Sequence, residues 1–265
     1  DGTGVTDALI PEVSVEIAAE DASKTDGASS CEPGPGRAGA STEAKPWFTD
    51  ISDASGIRVG NVIFDSPVPL VINDHSRLGF VDLDGDGDDD IVTHSLFPNV
   101  SGGVPFEHLI YLNQGDGTFI DHSDASGLRD IQAGQFAFGD VDNDGDQDCF
   151  AGLDFPETPG HTNQILLNDG SGVFTPLPGS GVETVPAIAA NAVFADFDQD
   201  ARLDLFIGLG HTSYAGPDQL LLGQGDGTFV NASDRLPGAL AKPTNGSVAC
   251  DYDSDGDLDI LVSTY

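Results

Sequence analysis

The chain has 265 residues, with 45 Asp and Glu against 9 Lys and Arg, and its formal net charge at pH 7 is −36. Such a negative surface repels nucleic acid and anionic membranes at long range, which argues against both as partners. No apolar run approaches the ~20 residues that a membrane-spanning helix needs, so we expect no membrane insertion.

Residues 1–46 have the composition of a low-complexity, disordered tail. The stretch from Glu20 to Lys45 is dominated by Ala, Ser, Gly, Pro, Asp and Glu, which bury little apolar surface. A short strand at Val13–Ile17 is the one element that this segment predicts. The chain begins with Asp and contains no Met, so we expect that a preceding segment was removed, either a signal peptide, part of a longer precursor or part of an expressed fusion.

An acidic loop with the pattern D-x-D-x-D-G-x-x-D recurs four times, starting at residues 82, 140, 196 and 251. We number its positions 1 to 9 and the loops first to fourth along the chain. The third loop departs from the pattern, because Ala201 stands where the other loops have Gly at position 6. The intervals between loop starts are 58, 56 and 55 residues, and such regularity indicates a repeat architecture.

Oxygen ligands at alternate positions of a tight loop are what Ca²⁺ needs. Carboxylates at positions 1, 3, 5 and 9 would surround one ion, with a backbone carbonyl near position 7 as an extra ligand, and Gly at position 6 permits the positive φ of the turn. We therefore predict about four Ca²⁺ ions, one per loop. The candidate metal-site residues are Asp82, Asp84, Asp86, Asp88 and Asp90 in the first loop; Asp140, Asp142, Asp144, Asp146 and Asp148 in the second; Asp196, Asp198, Asp200, Arg202 and Asp204 in the third; and Asp251, Asp253, Asp255, Asp257 and Asp259 in the fourth.

The same loops have two other possible interpretations, an EF-hand and a set of turns without metal. An EF-hand needs a bidentate Glu at position 12 and flanking helices. Here position 12 is Thr93, Ala151, Ile207 or Val262, and strand-like runs follow position 9. The loops are therefore predicted to connect β-strands. The remaining alternative is a set of solvated Asp-Gly turns without metal.

A second turn, here named the Gly turn, alternates with the acidic loops. It reads Gly-Asp-Gly-Thr-Phe at 115–119 and 225–229, and Gly-Ser-Gly-Val-Phe at 170–174. One strand before and one after each kind of turn gives four short strands per repeat, which is typical of propeller blades.

We thus predict an all-β fold, a β-propeller of four-stranded blades with Ca²⁺-binding hairpin loops. Residues 47–265 would hold three full blades and a partial fourth blade, with Phe48–Ile51 as an outer strand that lacks its own blade. Further blades from the same precursor or from a partner chain would complete the ring. On this inventory Ile260–Val262 is left with a bare strand edge.

The acidic loops, the phrase Phe138-Gly139-Asp140 and the turn at 113–119 resemble the FG-GAP/VCBS repeat family, a Ca²⁺-binding β-propeller repeat also found in integrin α-subunits. The resemblance covers roughly residues 47–265. It implies a propeller with mainly structural Ca²⁺ sites. Family members include adhesion heads, lectin-like modules and secreted polysaccharide lyases.

The resemblance therefore implies an extracellular binding or adhesion module for protein or carbohydrate. The alternative is the propeller portion of a secreted carbohydrate-active enzyme such as a polysaccharide lyase. Whether the chain is an enzyme stays open, although its few Lys and Arg favour binding over catalysis. We expect an exported protein, either secreted, on the cell surface or periplasmic, because Ca²⁺ modules of ~10⁻⁴–10⁻³ M affinity fill where Ca²⁺ is abundant.

The face opposite the acidic loops is expected to carry the longer, variable segments. His and aromatic residues in or beside these segments are candidates for binding a sugar or protein, with ordinary loop residues as the alternative interpretation. They are His75, His94, Phe155, His161, His211 and Tyr214. Cys149 and Cys250 lie in non-neighbouring repeats, so we expect two buried thiols rather than a disulfide.

Overall fold

The computed structural model describes residues 15–17, 51–57, 77–94, 108–153, 161–185, 189–210, 216–237 and 243–264. These residues form fifteen strands, one short α-helix and two 3-10 helices at Val182–Thr184 and Ser233–Arg235. No helix within these ranges is long and apolar enough to cross a membrane. The protein is therefore all-β, as the sequence predicted.

Three antiparallel sheets have four strands each, in chain order from one edge to the other. The acidic loop joins the first strand to the second, and the Gly turn joins the third to the fourth. The first sheet contains β2 (Arg77–Val81), β3 (Asp90–His94), β4 (His108–Asn113) and β5 (Phe119–Asp121); the second contains β6 (Gln135–Gly139), β7 (Asp148–Gly152), β8 (Gln164–Asn168) and β9 (Phe174–Pro176); the third contains β10 (Ala189–Ala195), β11 (Asp204–Leu209), β12 (Gln219–Gly223) and β13 (Phe229–Asn231).

The hairpin register explains why the acidic loops are not EF-hands. In the second sheet Gly139 lies opposite Asp148, and position 12 of the loop, Ala151, lies opposite Phe136 inside β7. Position 12 thus belongs to a strand, where its side chain packs against a neighbouring sheet. The predicted strand-loop-strand organisation is confirmed.

The fourth sheet has three strands, β14 (Thr244–Cys250), β15 (Asp259–Thr264) and β1 (Val15–Ile17), in the order β14-β15-β1. β1 runs parallel to β15, with Val15 opposite Ile260 and Ile17 opposite Val262. The expectation of a bare edge at Ile260–Val262 is wrong, because β1 covers it. β1 lies within the segment whose composition predicts a tail, and the rest of residues 1–46 lies outside the described part of the chain.

Successive sheets pack face to face, and we call each such contact a seam. Strand alternation gives each sheet two apolar faces. In β7, Cys149 and Ala151 pack in the seam with the first sheet, whereas Phe150 packs in the seam with the third. A further seam joins Phe206 of the third sheet to Ile260 of the fourth.

The two cysteines of the described strands are both free thiols. Cys149 is buried, as predicted, and lies in the first seam. Cys250 is exposed at the end of β14, so the expectation that it is buried is wrong. The absence of a Cys149–Cys250 disulfide agrees with the prediction.

The segment that follows each fourth strand reaches across to the next sheet. Phe174 at the start of β9 donates its N–H to the carbonyl oxygen of Ser126 at 2.8 Å, and Phe229 donates to Ser180 at 2.7 Å. Gly127 has φ +75°, and a Cβ there would collide with the carbonyl oxygen of Phe174.

The segment around α1 (Ser52–Ser55) repeats this arrangement on the first sheet. It ends at Gly56, with φ +81°, where a Cβ would lie 2.9 Å from the carbonyl oxygen of Phe119. Residues 52–56 therefore pack on the first sheet as residues 123–127 pack on the second. The outer strand predicted at Phe48–Ile51 lies, except for its last residue, outside the described residues.

Candidate metal centres

Two left-handed backbone positions shape each acidic loop. The prediction for position 6 is confirmed, because its φ is +93° at Gly87, +101° at Gly145, +99° at Gly256 and +65° at Ala201. Position 4 was not predicted. Glycine and Asn favour the left-handed region, so two loops carried a signal there, whereas Gln and Ser in the other two gave none. The φ values at position 4 are +73° at Gly85, +62° at Asn143, +60° at Gln199 and +63° at Ser254.

The carboxylate of position 1 accepts the backbone N–H of position 6 in all four loops. This bond holds the position 1 side chain over the loop, and it depends on the left-handed turn at position 6. Ala201 makes it as well as the glycines do, so the third loop keeps the common backbone. The donor-acceptor distances are 3.0 Å for Gly87 to Asp82, 3.1 Å for Gly145 to Asp140, 2.9 Å for Ala201 to Asp196 and 3.2 Å for Gly256 to Asp251.

Position 9 has a structural task that the pattern did not predict. The Asp148 carboxylate is fully buried and accepts two backbone N–H groups, from Val141 in the loop at 3.0 Å and from Asn168 in the third strand at 2.9 Å. Asp90 and Asp204 make the equivalent pairs of bonds. Position 9 thereby fastens the acidic loop to the third strand.

Burial has an electrostatic consequence at position 9. It raises the pKa of Asp148 and of Asp204 to about 6, although the two backbone donors oppose the rise. The nearby carboxylates of the same loop raise the pKa further, because like charges disfavour ionisation. A cation bound beside these carboxylates would lower both pKa values and favour the ionised form.

Each loop brings three carboxylates together, with one oxygen from each lying within 4.8 Å of the others. Positions 1 and 3 belong to every group, joined by position 5 or by position 9. Of the predicted candidates, position 7 belongs to none of these groups. The groups are Asp82, Asp84 and Asp86; Asp140, Asp142 and Asp148; Asp196, Asp198 and Asp204; and Asp251, Asp253 and Asp255.

The donor set fits a hard divalent cation. The Oδ1 atoms of Asp84, Asp142 and Asp198, all at position 3, are buried and have no hydrogen-bond partner. Burial first, and the carboxylate at position 5 second, raise the pKa of all three groups. A Ca²⁺ ion bound by carboxylates would satisfy these oxygens and cancel the repulsion.

Position 7 connects the acidic loops to the Gly turns. Its N–H donates to Oδ1 of position 5, at 2.9 Å in the first loop and 3.0 Å in the second. The carboxylate of Asp88 lies against Gly115, where a Cβ would approach to 2.6 Å. In addition, Asn168 donates to the carbonyl oxygen of Leu83 at 2.8 Å, across the first seam. Acidic loops and Gly turns therefore share one side of the molecule.

Two of the six residues proposed for ligand binding lie within the described part of the chain. His161 is exposed at the start of its segment, and His94 lies in β3 opposite His108. His75, Phe155, His211 and Tyr214 lie outside the described residues, so their role stays a prediction.

A histidine that the sequence did not single out is buried in the first seam. His108 is fully buried, its Nε2 lies 2.7 Å from the carbonyl oxygen of Ile131, and its ring lies 4.5 Å from that of Phe136. Burial lowers the pKa of His108 to about 4. The side chain is therefore a neutral packing residue, and no spacing rule in the sequence distinguishes it from a loop histidine.

The repeated sheets and acidic loops define a known class of protein. The family model of the FG-GAP-like repeat matches three times, at residues 82–151, 140–207 and 203–262. The chain belongs to the FG-GAP-like repeat family. Such repeats are typical of integrin-like extracellular modules and commonly bind Ca²⁺.

Among individual proteins, the chain is similar to Cartilage acidic protein 1 of Xenopus tropicalis. The two are 27% identical over 165 residues, which is 59% of this chain and 25% of that protein. The matched part of the chain thus spans about a quarter of the length of this relative. The similarity covers too little of this relative to transfer the activity of the whole protein to this chain.

Proposed function

We propose that the chain is part of a Ca²⁺-stabilised β-propeller that acts outside the cell as a binding or adhesion module for a protein or a carbohydrate. The observation that carries this proposal is the repetition of one unit, a four-stranded sheet with an acidic loop, stacked face to face through common seams. Propellers are built from such units, set around a central axis.

The exposed face of the first sheet supports further sheets in a ring. Leu78 and Phe80 are each 62% exposed. Phe136 and Phe138 stand at the same places of the second sheet, four and two residues before its acidic loop, and pack in the first seam. The face with Leu78 and Phe80 therefore suits packing against a preceding sheet. Residues 52–56 would be the segment that follows the fourth strand of that sheet, as residues 123–127 follow β5.

The fourth sheet, at the other end of the stack of sheets, also exposes an apolar face. Val248 and Leu261 lie opposite each other on β14 and β15, and they are 50% and 41% exposed. Ala137 and Phe150 hold the same places in the second sheet, and Phe150 is fully buried in the second seam. We propose that further sheets of the same kind, from the same polypeptide or from a partner chain, cover both faces and close a propeller.

The proposed role of Ca²⁺ is structural. The ion would supply the positive charge that the loop carboxylates lack, and the loops would then hold each hairpin and its neighbouring Gly turn in place. The second strand of each four-stranded sheet ends, and the third begins, at the edge opposite the acidic loop. Acidic loops held rigid by Ca²⁺ would fix the strands, and the strands would hold the segments between the second and third strands in place to bind a ligand.

The charge of the chain narrows the class of ligand. A net charge of −36 favours neutral glycans or basic protein surfaces over acidic partners. The name of the relative, Cartilage acidic protein 1, describes an acidic protein, and this chain also has a large excess of Asp and Glu. Within the binding segments, His75, His94, Phe155, His161, His211 and Tyr214 are the proposed contact residues.

A binding experiment tests this function. The chain is immobilised and probed with a glycan array and with a panel of purified extracellular-matrix proteins, in Ca²⁺ and in EDTA. We expect saturable, Ca²⁺-dependent binding to a neutral glycan or a basic protein, and weaker binding in His161→Ala, because this exposed residue is one of the proposed contact residues. Binding that is unchanged by EDTA, or depolymerisation of a uronate polysaccharide without stable binding, would contradict the proposal, and the second result would support a lyase.

A further inference from the structure

The third acidic loop contains a cation of its own. Arg202 stands at position 7, where the other three loops have Asp. Its guanidinium group pairs with the Asp200 carboxylate at position 5, and its Nε donates to the carbonyl oxygen of Gly223 at 2.9 Å. The backbone N–H of Arg202 donates to the other oxygen of Asp200 at 2.9 Å. Both oxygens of Asp200 are thus engaged by groups of the chain.

A second guanidinium group approaches the same loop. Arg235, in the 3-10 helix that follows β13, lies 4.0 Å from the Asp198 carboxylate at position 3. Among the described residues, every ion pair to an acidic-loop carboxylate is in the third loop. The remaining ion pair, Arg129 with Asp124, lies outside the loops.

These two arginines do not distort the loop backbone. Ala201 and Gln199 have the left-handed φ values of their counterparts. Phe197 donates to Asp204 at 2.9 Å, as Leu83 donates to Asp90 at 2.8 Å. The third loop therefore has the common loop fold, but two of its carboxylates already face positive charge.

We propose that Arg202 and Arg235 are built-in counterions of the third acidic loop, which therefore keeps its fold without Ca²⁺ and binds the ion on the order of tenfold more weakly than its neighbours. The inference rests on the proposed Ca²⁺ role of the family loops. The third loop would then stay ordered with or without Ca²⁺, whereas the second and fourth loops on either side of it would need Ca²⁺ to stay ordered. The molecule would then lose order at selected loops when Ca²⁺ is removed.

Amide hydrogen exchange of the whole chain tests the proposal loop by loop. The reporters are the position 6 amides of Gly87, Gly145, Ala201 and Gly256, which bond the position 1 carboxylates. In EDTA we expect faster exchange at the three glycine amides and unchanged exchange at Ala201. Equal loss of protection at Ala201 and Gly145 would overturn the proposal.

The variant Arg202→Asp introduces the residue type of the other loops. We expect Ca²⁺-dependent protection at Ala201 and, in a calorimetric Ca²⁺ titration, a roughly tenfold gain in affinity of one equivalent. Arg235→Gln, whose side chain is 38% exposed, should give a smaller change in the same direction without threatening folding. Arg129→Gln is the matched control and should change neither readout.

The outcomes separate the two proposals. If no loop of the unchanged protein responds to Ca²⁺, the Ca²⁺ role fails, yet faster exchange confined to the third loop in Arg202→Asp would still support the counterions. If the other loops respond to Ca²⁺ while Arg202→Asp and Arg235→Gln leave Ala201 exchange and Ca²⁺ affinity unchanged, the counterion proposal is overturned and the Ca²⁺ role stands.

Discussion

At the scale of single residues, the acidic loops depend on left-handed backbone positions and on carboxylates held close together. Position 6 could be predicted, because Gly in an Asp-rich turn signals a positive φ. The dual bonding of position 9 could not, because a pattern of Asp residues does not reveal which carboxylate bonds to the third strand and which points only into the loop. Asp148 is buried with two backbone donors, a property that only the hairpin geometry determines.

The first residue-scale prediction compares the two kinds of residue at position 6. Ala201 has φ +65°, and the left-handed region costs a residue with a Cβ about 1 kcal/mol. Ala201→Gly should therefore raise the free energy of unfolding by about 1 kcal/mol, and Gly145→Ala should lower it by a similar amount. Urea unfolding in saturating Ca²⁺ measures both, and a gain from Gly145→Ala would contradict the assigned backbone.

The second residue-scale prediction concerns the carboxylate at position 3. Oδ1 of Asp142 is buried without a partner, and burial and Asp144 raise its pKa. Asp142→Asn removes the charge at nearly constant shape. It should raise the free energy of unfolding in EDTA, because repulsion falls, and lower it in Ca²⁺, because a ligand is weakened, each by roughly 1 kcal/mol. A shift of the same sign in both buffers would argue against a metal site.

At the scale of elements, the hairpins could be predicted because the turns recur at a fixed spacing and the strands between them are apolar. The pairing of β1 could not, because three residues in a polar segment carry no information about their partner. Parallel pairing of Val15 with Ile260 joins residues far apart in the sequence, which local patterns do not encode. Burial of His108 in a seam likewise depends on which sheets become neighbours.

The element-scale prediction concerns the pH dependence of the first seam. The pKa of His108 is about 4 in the folded protein against 6.5 as its ordinary value. The unfolded chain therefore binds more protons between these values, and stability falls as pH drops from 6.5 to 4, by up to about 3 kcal/mol. Asp130 is the charged group that acts on His108, and its carboxylate opposes this effect.

His108→Gln should flatten this part of the stability profile. The measurement is the free energy of unfolding of variant and unchanged protein at pH 7 and pH 5, in the same Ca²⁺ buffer, so that carboxylate titrations cancel in the difference. His161→Gln is the matched control, because His161 is exposed. A difference between His108→Gln and the unchanged protein that does not vary with pH would contradict the buried, neutral state.

At the scale of the whole molecule, the first and fourth sheets expose apolar residues at positions whose counterparts in the second sheet pack in seams. The period of the loops predicted the stacking of like units, because each unit has apolar residues on both faces. The number of sheets in the proposed propeller could not be predicted, since it depends on the angle between neighbouring sheets. Phe80 and Phe138 hold equivalent positions, but Phe80 is exposed on the first sheet whereas Phe138 packs in the seam between the first and second sheets.

The whole-molecule prediction uses these two equivalent residues as a matched pair. Phe80→Ser should change the free energy of unfolding of the chain by less than about 0.5 kcal/mol, because the side chain is 62% exposed. Phe138→Ser should cost about 2 kcal/mol or more, because it opens the first seam. Thermal unfolding in Ca²⁺ measures both. An equal cost for the two substitutions would mean that the first sheet is already covered.

Calorimetric titration of the chain with Ca²⁺, paired with its melting temperature in Ca²⁺ and in EDTA, tests the central claim most directly. Four acidic loops, each with three converging carboxylates, predict about four bound equivalents, a weaker one among them, and a higher melting temperature in Ca²⁺. Absence of binding heat at millimolar Ca²⁺, together with a melting temperature unchanged by EDTA, would contradict a Ca²⁺-stabilised repeat.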